Sequence, residues 1–407
     1  MNCRHCGNPL NYTFLDLGHA PPSNAYLNFE DLSKPEIFYP LKIKVCEQCW
    51  LVQTEDYADA DTLFTPEYAY FSSTSSGWLD HVKIYSERMI KELTLDSQSF
   101  VIEVASNDGY LLKNFVSAGI PCLGIEPTAS TASASAKFNI NVLQEFFGKN
   151  LGQRLAGAGS KADLIVGNNV YAHVPDINDF TLGLKAALKP NGIITLEFPH
   201  LMQLIQHAQF DTAYHEHFSY LSLQVVNQIF SYAGLRIWRV EQLTTHGGSL
   251  RVFGCHVDDA RETQISVANL LNEEINRGLL SLQTYLDFQP RANKIKNDLL
   301  EFLINQKRKG KTVIAYGAAA KGNTLLNYAG IRPDLVTIVC DAAVSKQGKY
   351  MPGSHIPIFS PETIKSYKPD YLLILPWNIA EEVVRQNESI GEYGGKFVTA
   401  VPELKVF

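Results

Sequence analysis

In the middle of the chain, DTAYHEHFSYLS (211–222) sets Tyr214, His215, Glu216 and His217 side by side. All four can carry or pass a proton. In an extended backbone His215 and His217 point to one side and Tyr214 and Glu216 to the other. Two imidazoles and a carboxylate would suit a metal. A histidine with a near-neutral pKa would equally suit general-base work. A polar loop with one histidine capping the next helix is the third reading, and spacing alone leaves all three open.

Two further groups of residues have chemical spacing. Cys3-x-x-Cys6 and Cys46-x-x-Cys49 can close a tetrahedral four-thiolate zinc site with no open position, hence a structural one. The pairs are separated by 39 residues, more than the roughly 15–20 of common ribbons. A small module with little core also needs such a staple. Cys122, Cys255 and Cys340 lie in apolar runs and read as core. In VIEVASNDGYLL, Glu103 falls in a strand and Asn107-Asp108-Gly109 in the turn before a helix. Glu126 closes the next strand, where an acid can take both hydroxyls of a ribose. The turn is acidic and is not GxGxxG, so it suits a cationic nucleoside without phosphate, such as S-adenosylmethionine, better than NAD.

Those residues need a frame. The segments FVIEVASNDGYLLKNF, PCLGIEPT, ADLIVGNNVYAHV and NGIITLEFPH alternate with helical stretches, which predicts an α/β fold with a doubly wound parallel sheet. The 211–222 run then follows a strand, at the carboxyl edge where such sheets bind ligands. A helix is expected from Ser222 (N-cap) to just before Gly234. THGGSLRVFGCHV reads as a two-glycine turn and a last strand. AYGAAAKGNT repeats strand-turn-helix, and Lys321 at its helix start favours a diphosphate. Asp341, ending the next strand, is a weaker candidate for a ribose or base. Ser249 and Arg251 line a sugar site, or Arg251 pairs with an acid at the surface. The expected organisation is a zinc module (1–65), a Rossmann-like domain (66–260), a helical connector (261–309) and a C-terminal α/β domain (310–407).

The chain has 407 residues, 45% hydrophobic and 19% charged, with net charge −7. An acidic balance with no basic aromatic stripe argues against nucleic acid. The N-terminus shows no apolar h-region, and no apolar run nears the roughly 20 residues that span a bilayer. A cytoplasmic protein with reduced thiols and no membrane attachment is expected.

Taken together, CRHCG…PPSNAYL, VCEQCWLVQ, EVASNDGYLL, GIEPT, NNVYAHV, YHEHFSYLS, HGGSLR and GAAAKGNTLLNY resemble the S-adenosylmethionine-dependent sugar C-methyltransferases of deoxysugar biosynthesis. The resemblance covers nearly the whole chain in order. It implies a class I methyltransferase domain between the zinc-binding and C-terminal domains. It implies a nucleotide-linked, thymidine-diphosphate 4-keto-6-deoxy sugar as substrate, methylated at C3 through an enolate. His217 is then the base, with His215 as rival, and Glu216 orients an imidazole or binds a hydroxyl. Tyr214, Tyr68 and His173 are candidates for the keto oxygen. The resemblance places a family tyrosine on Tyr68 or Tyr70. Glu103, Ala105, Asn107, Asp108, Glu126 and Asn168 are expected at the cofactor, with Ala105 where the family has a glycine. Tyr70, Lys321, Asn323, Ser249 and Arg251 are expected at the nucleotide-sugar. A zinc-ribbon RNA methyltransferase, a noncatalytic zinc- and nucleotide-binding module and an NAD-dependent oxidoreductase are the competing readings.

Overall fold

The computed structural model describes residues 1–57, 72–74 and 76–407. Three sheets organise these residues. The first has the order β1-β2-β3-β9, built from β1 (Tyr12–Ala20), β2 (Tyr39–Val45), β3 (Val52–Thr54) and β9 (Ser219–Tyr220). Its fourth strand comes from far down the chain, with Val52 opposite Tyr220 and Gln53 opposite Ser219.

The second sheet runs β10-β11-β8-β7-β4-β5-β6. Its strands are β4 (Val101–Val104), β5 (Cys122–Ile125), β6 (Asn141–Leu143), β7 (Ala162–Asn168), β8 (Leu188–Pro199), β10 (Leu235–Leu243) and β11 (Ser249–His256). Neighbours from β6 to β8 are parallel. β7 is almost wholly buried, because helices cover both faces of a parallel sheet and only continuous apolar strands suit that position. The expected all-parallel sheet ends differently: β11 is antiparallel to both β8 and β10. That reversal follows from the short turn between β10 and β11, since a parallel pair needs a longer crossover. The helix predicted after Ser222 is Leu223–Tyr232. The Ser222 hydroxyl accepts from Val225 N, and Gly234 follows at φ +75°. Glu274, from the connector helix Ile265–Asn276, accepts from Leu223 N and Gln224 N and completes the cap.

The third sheet, β14-β13-β12-β15-β16-β17, contains β12 (Val313–Tyr316), β13 (Val339–Cys340), β14 (Ile358–Phe359), β15 (Tyr371–Ile374), β16 (Lys396–Thr399) and β17 (Lys405–Val406). It is parallel except for β17. Helix Ala320–Tyr328 follows β12. The first sheet buries Phe14, Leu15 and Leu41 in one core with Phe288, Leu299, Leu325 and Met351. The N-terminal module therefore packs on the connector helix Phe288–Arg308 and on the C-terminal part. No helix among the described residues is long and apolar enough to cross a membrane.

Candidate active site

A cavity of about 650 Å³ opens at the carboxyl edge of β4, β5, β7 and β8, the edge at which open α/β sheets hold ligands. Its size lies within the roughly 300–1,000 Å³ of small-molecule sites. One end is built by the turn after β4. Ala105 (φ +58°), Asn107 (φ +49°) and Gly109 (φ +78°) are left-handed, which folds the turn tightly. The Asn107 N–H donates to one Glu126 oxygen (3.0 Å) and the Thr128 N–H to the other (2.9 Å). Ala105, Asn107, Glu126 and Asn168 all face the cavity. The Thr128 hydroxyl also donates to the oxygen that Thr128 N–H holds, so the other oxygen, bound to Asn107 N–H alone, keeps a lone pair that can accept a ribose hydroxyl. Both amide atoms of Asn168 are buried without a partner among the described residues, which suits contact with a polar ligand. Two expected cofactor residues lie elsewhere. Glu103 and Asp108 are buried and off the wall. Burial pushes the Glu103 carboxyl well above its usual range, with the Tyr110 hydroxyl opposing. Glu126→Gln keeps the shape but removes the charge, and should weaken S-adenosylmethionine binding roughly tenfold or more by calorimetry. Unchanged affinity would remove Glu126 from the cofactor site.

The 211–217 segment forms the opposite wall. It is not extended. His217 N–H bonds Tyr214 O (3.0 Å), making a turn. Tyr214, Glu216 and His217 line the cavity, whereas His215 does not. His215 Nε2 meets Pro40 O (3.2 Å), and its ring lies edge-on to Tyr39. The alternation expected for a strand is thus corrected: the turn rotates His215 into the N-terminal sheet. His217 Nδ1 lies 2.9 Å from Thr212 O. A carbonyl only accepts, so Nδ1 carries the proton and Nε2 is the basic nitrogen. Tyr214 lies over the imidazole at 4.0 Å and His173 edge-on at 4.6 Å. Both Glu216 oxygens accept from Asn24 Nδ2 (2.8 and 2.9 Å).

Residues from both ends of the chain brace this loop. Thr54 Oγ1 donates to His217 O (2.6 Å) from β3. Thr324 Oγ1 donates to Ala213 O (2.8 Å), and Trp377 Nε1 to Asp211 Oδ2 (2.8 Å), from the C-terminal part. The roof holds Lys321, whose Nζ donates to Asn378 Oδ1 (2.7 Å), and Lys346, whose Nζ donates to Ala318 O (2.8 Å). The other expected substrate residues are placed differently. Asn323 is buried against Asn327. The Ser249 hydroxyl donates to Thr245 O. Arg251 pairs with Glu197, its cross-strand neighbour on β8 (2.5 Å), and stacks on Tyr85. Asp341 accepts from the Ala318 N–H in the turn after β12 and from the Ala343 N–H of its own turn. Tyr68 and Tyr70 lie outside the described residues. The sequence reading missed Asn24, Trp78, Asn169, His246 and Lys346 on the wall. A histidine before two glycines was the available signal for His246.

Four histidines around the site have lowered pKa values, with burial the leading cause: His173 and His246 to about 4, and His215 and His217 in the same direction. Their unfolded value is near 6.5. Their contribution to stability is whole above that value and is lost as pH falls toward the folded values, because the unfolded chain binds the extra protons. Each such histidine contributes at most about 1.4 kcal/mol per pH unit, and less where cavity water reaches it. The melting temperature should therefore fall between pH 6.5 and 4.5, and His246→Asn should blunt the fall. A flat profile would contradict the burial of these rings.

At the other end of the module, the sulfurs of Cys3, Cys6, Cys46 and Cys49 lie within 4.8 Å of one another. Four Zn–S bonds of about 2.3 Å require close to that packing. The donor set is all thiolate and fits a structural zinc.

The chain is 33% identical over 404 residues to C-methyltransferase NovU of Streptomyces niveus, covering 99% of this chain and 96% of that protein. It belongs to the C-methyltransferase family. Three family models fit this C-methyltransferase in order: a zinc binding domain (residues 3–64), a methyltransferase domain (80–240) and a C-methyltransferase C-terminal domain (244–402). Among solved structures, it is similar to magnesium protoporphyrin IX methyltransferase of Synechocystis PCC 6803 with bound SAH (15% identity, 44% of this chain and 84% of that one, TM-score 0.36). The PH0226 protein of Pyrococcus horikoshii OT3 matches at 11% identity, over 46% and 95% of the two chains, with a TM-score of 0.37. The C-methyltransferase is an S-adenosylmethionine-dependent enzyme with a structural zinc in its N-terminal module.

Proposed function

We propose that this C-methyltransferase methylates C3 of a nucleotide-linked 4-keto-6-deoxy sugar, with thymidine diphosphate as the carrier, through an enolate generated by His217. The supporting observation is one cavity with two unlike ends: an acidic ribose-binding turn at one, and a histidine with a fixed tautomer at the other. S-adenosylmethionine supplies an electrophilic methyl group. Making a carbon nucleophile requires removing a proton next to a ketone and holding the oxyanion. His217 Nε2 takes the C3 proton. Thr212 O holds its Nδ1–H and steadies the imidazolium. Tyr214 and His173, both against the His217 ring, are placed to hydrogen-bond the 4-keto oxygen. Glu216, oriented by Asn24, takes a sugar hydroxyl. Lys321 and Lys346 offer two positive charges beside the start of helix Ala320–Tyr328 for the diphosphate.

Proton exchange tests this reading. The enzyme, S-adenosylhomocysteine and a thymidine-diphosphate 4-keto-6-deoxyhexose are incubated in D₂O, with C3 and C5 followed by NMR. Enzyme-dependent exchange at C3 is expected. Exchange confined to C5, or failure of several keto sugars to accept a methyl group, would reject the sugar assignment while leaving carbon methylation in place.

A further inference from the structure

We infer that Asn169 and His246 act as a couple in which His246 fixes the Asn169 amide so that its carbonyl oxygen faces the cationic sulfonium of the methyl donor. The inference rests on S-adenosylmethionine as donor but not on the identity of the sugar.

The strand order supplies the placement. Along the carboxyl edge, Glu126 follows β5, Ala105 and Asn107 follow β4, Asn168 and Asn169 stand at the end of β7, and the His217 loop follows β8. With the ribose at Glu126, the methyl group must travel toward the base-bearing loop. The end of β7 lies between the two, so Asn168 and Asn169 would be the residues beside the sulfonium of a bound donor.

Asn169 has a definite orientation there. Its Nδ2 lies 3.1 Å from His246 Nε2. An amide nitrogen only donates, so Nε2 is the bare nitrogen of a neutral ring. Burial, with Lys321 nearby, keeps that ring from protonating at neutral pH. Turning the amide over would set its oxygen against that bare nitrogen unless the ring proton also moved to Nε2. Its Oδ1 is therefore the atom left over, buried and without a partner among the described residues. A buried carbonyl with no donor is costly unless something satisfies it, and a cation does so.

Both backbones are bent to make this contact. Asn169 has φ +52° and His246 φ +54°, and Gly247 and Gly248 follow at +88° and +115°. Three consecutive left-handed residues turn the imidazole back onto the end of β7. A Cβ on Gly247 would lie 2.4 Å from the Trp377 ring, so the turn is wedged in place. Trp78, packed at 5.2 Å from the His246 ring, closes its other side. Non-glycine residues held left-handed at a cavity wall point to function more than to chance.

Two donor forms make the test, because S-adenosylmethionine carries the sulfonium and S-adenosylhomocysteine does not. Calorimetry on the zinc-loaded full chain gives both affinities. Asn169→Gly removes the carbonyl without backbone strain. His246→Phe keeps the ring volume but cannot accept from the amide. In both variants S-adenosylmethionine affinity should fall about tenfold, with S-adenosylhomocysteine changed less than about twofold, so the ratio between them drops. A ratio unchanged in either variant, whether both ligands weaken together or neither does, would overturn the couple. Circular dichroism and melting temperature separate a misfolded variant from a selective one. A wild-type chain that bound neither ligand would instead refute the donor reading itself.

Discussion

His217→Asn should lower kcat by about 10²–10⁴, the usual contribution of a positioned base, while leaving S-adenosylmethionine affinity unchanged. The substitution is chosen from geometry. An asparagine amide can replace Nδ1–H as the donor to Thr212 O, so the turn survives, but nothing replaces Nε2. The same variant should abolish C3 exchange in D₂O. Its counterpart, His215→Asn, removes a ring that contacts Tyr39 and Pro40 outside the cavity, and should change melting temperature more than exchange. A reversal of the two results would move the base by two residues. The pH profile adds a second check. Burial holds the His217 pKa well below 6.5, so the ring is neutral across physiological pH. The acid limb of kcat/KM, which reports the free enzyme, should begin below the ordinary histidine range. A limb centred at or above 6.5 would mean that another group supplies the base.

Removing the zinc should disable catalysis at a distance. Stripping the metal with a chelator, or replacing a ligand as in Cys49→Ser, should lower kcat/KM at least about tenfold and sharply lower the melting temperature. Structural zinc contributes roughly 10–16 kcal/mol of apparent binding free energy in small modules. The four thiols tie the N-terminal knuckle to the turn between β2 and β3. Arg4, between two ligands, donates to Thr54 O (3.0 Å) and to Pro175 O (2.6 Å). Thr54 in turn holds His217 O. Loosening the cluster therefore loosens the His217 loop. Metal content by mass spectrometry, activity and recovery on adding zinc back are measured together. A metal-free chain with full activity and unchanged melting would show that the cluster does not position the loop.

The contrast between these regions explains what the sequence could disclose. The cysteine ligands were legible because two residues of spacing fix each pair locally. The position of Glu126 on the cavity wall was legible because a strand end defines it. The 214–217 turn was not, because residues more than a hundred positions away shape it: Thr54 and Asn24 on one side, Thr324 and Trp377 on the other. Arg251 was left between the substrate and a surface acid because its actual partner, the buried Glu197, becomes its neighbour only through the antiparallel pairing of β11 with β8. Once paired, a charge this deeply buried is held in place, since breaking such a pair costs about 3–5 kcal/mol. His246 was missed because its contact with Asn169, 77 residues earlier, is made only when the turn at Gly247 and Gly248 folds the ring back onto the end of β7.

The completion of the first sheet by β9 also sets an order on synthesis. Gln53 meets Ser219, 166 residues later in the chain. At about 5–20 residues per second, a ribosome needs on the order of ten to thirty seconds to supply that strand. Throughout the interval β3 has an open edge, the kind of feature that recruits stray strands and aggregates. The thiolate cluster forms from residues made early, before the chain passes position 50. Zinc captured at that stage would hold the nascent hairpin in register until its own fourth strand emerged.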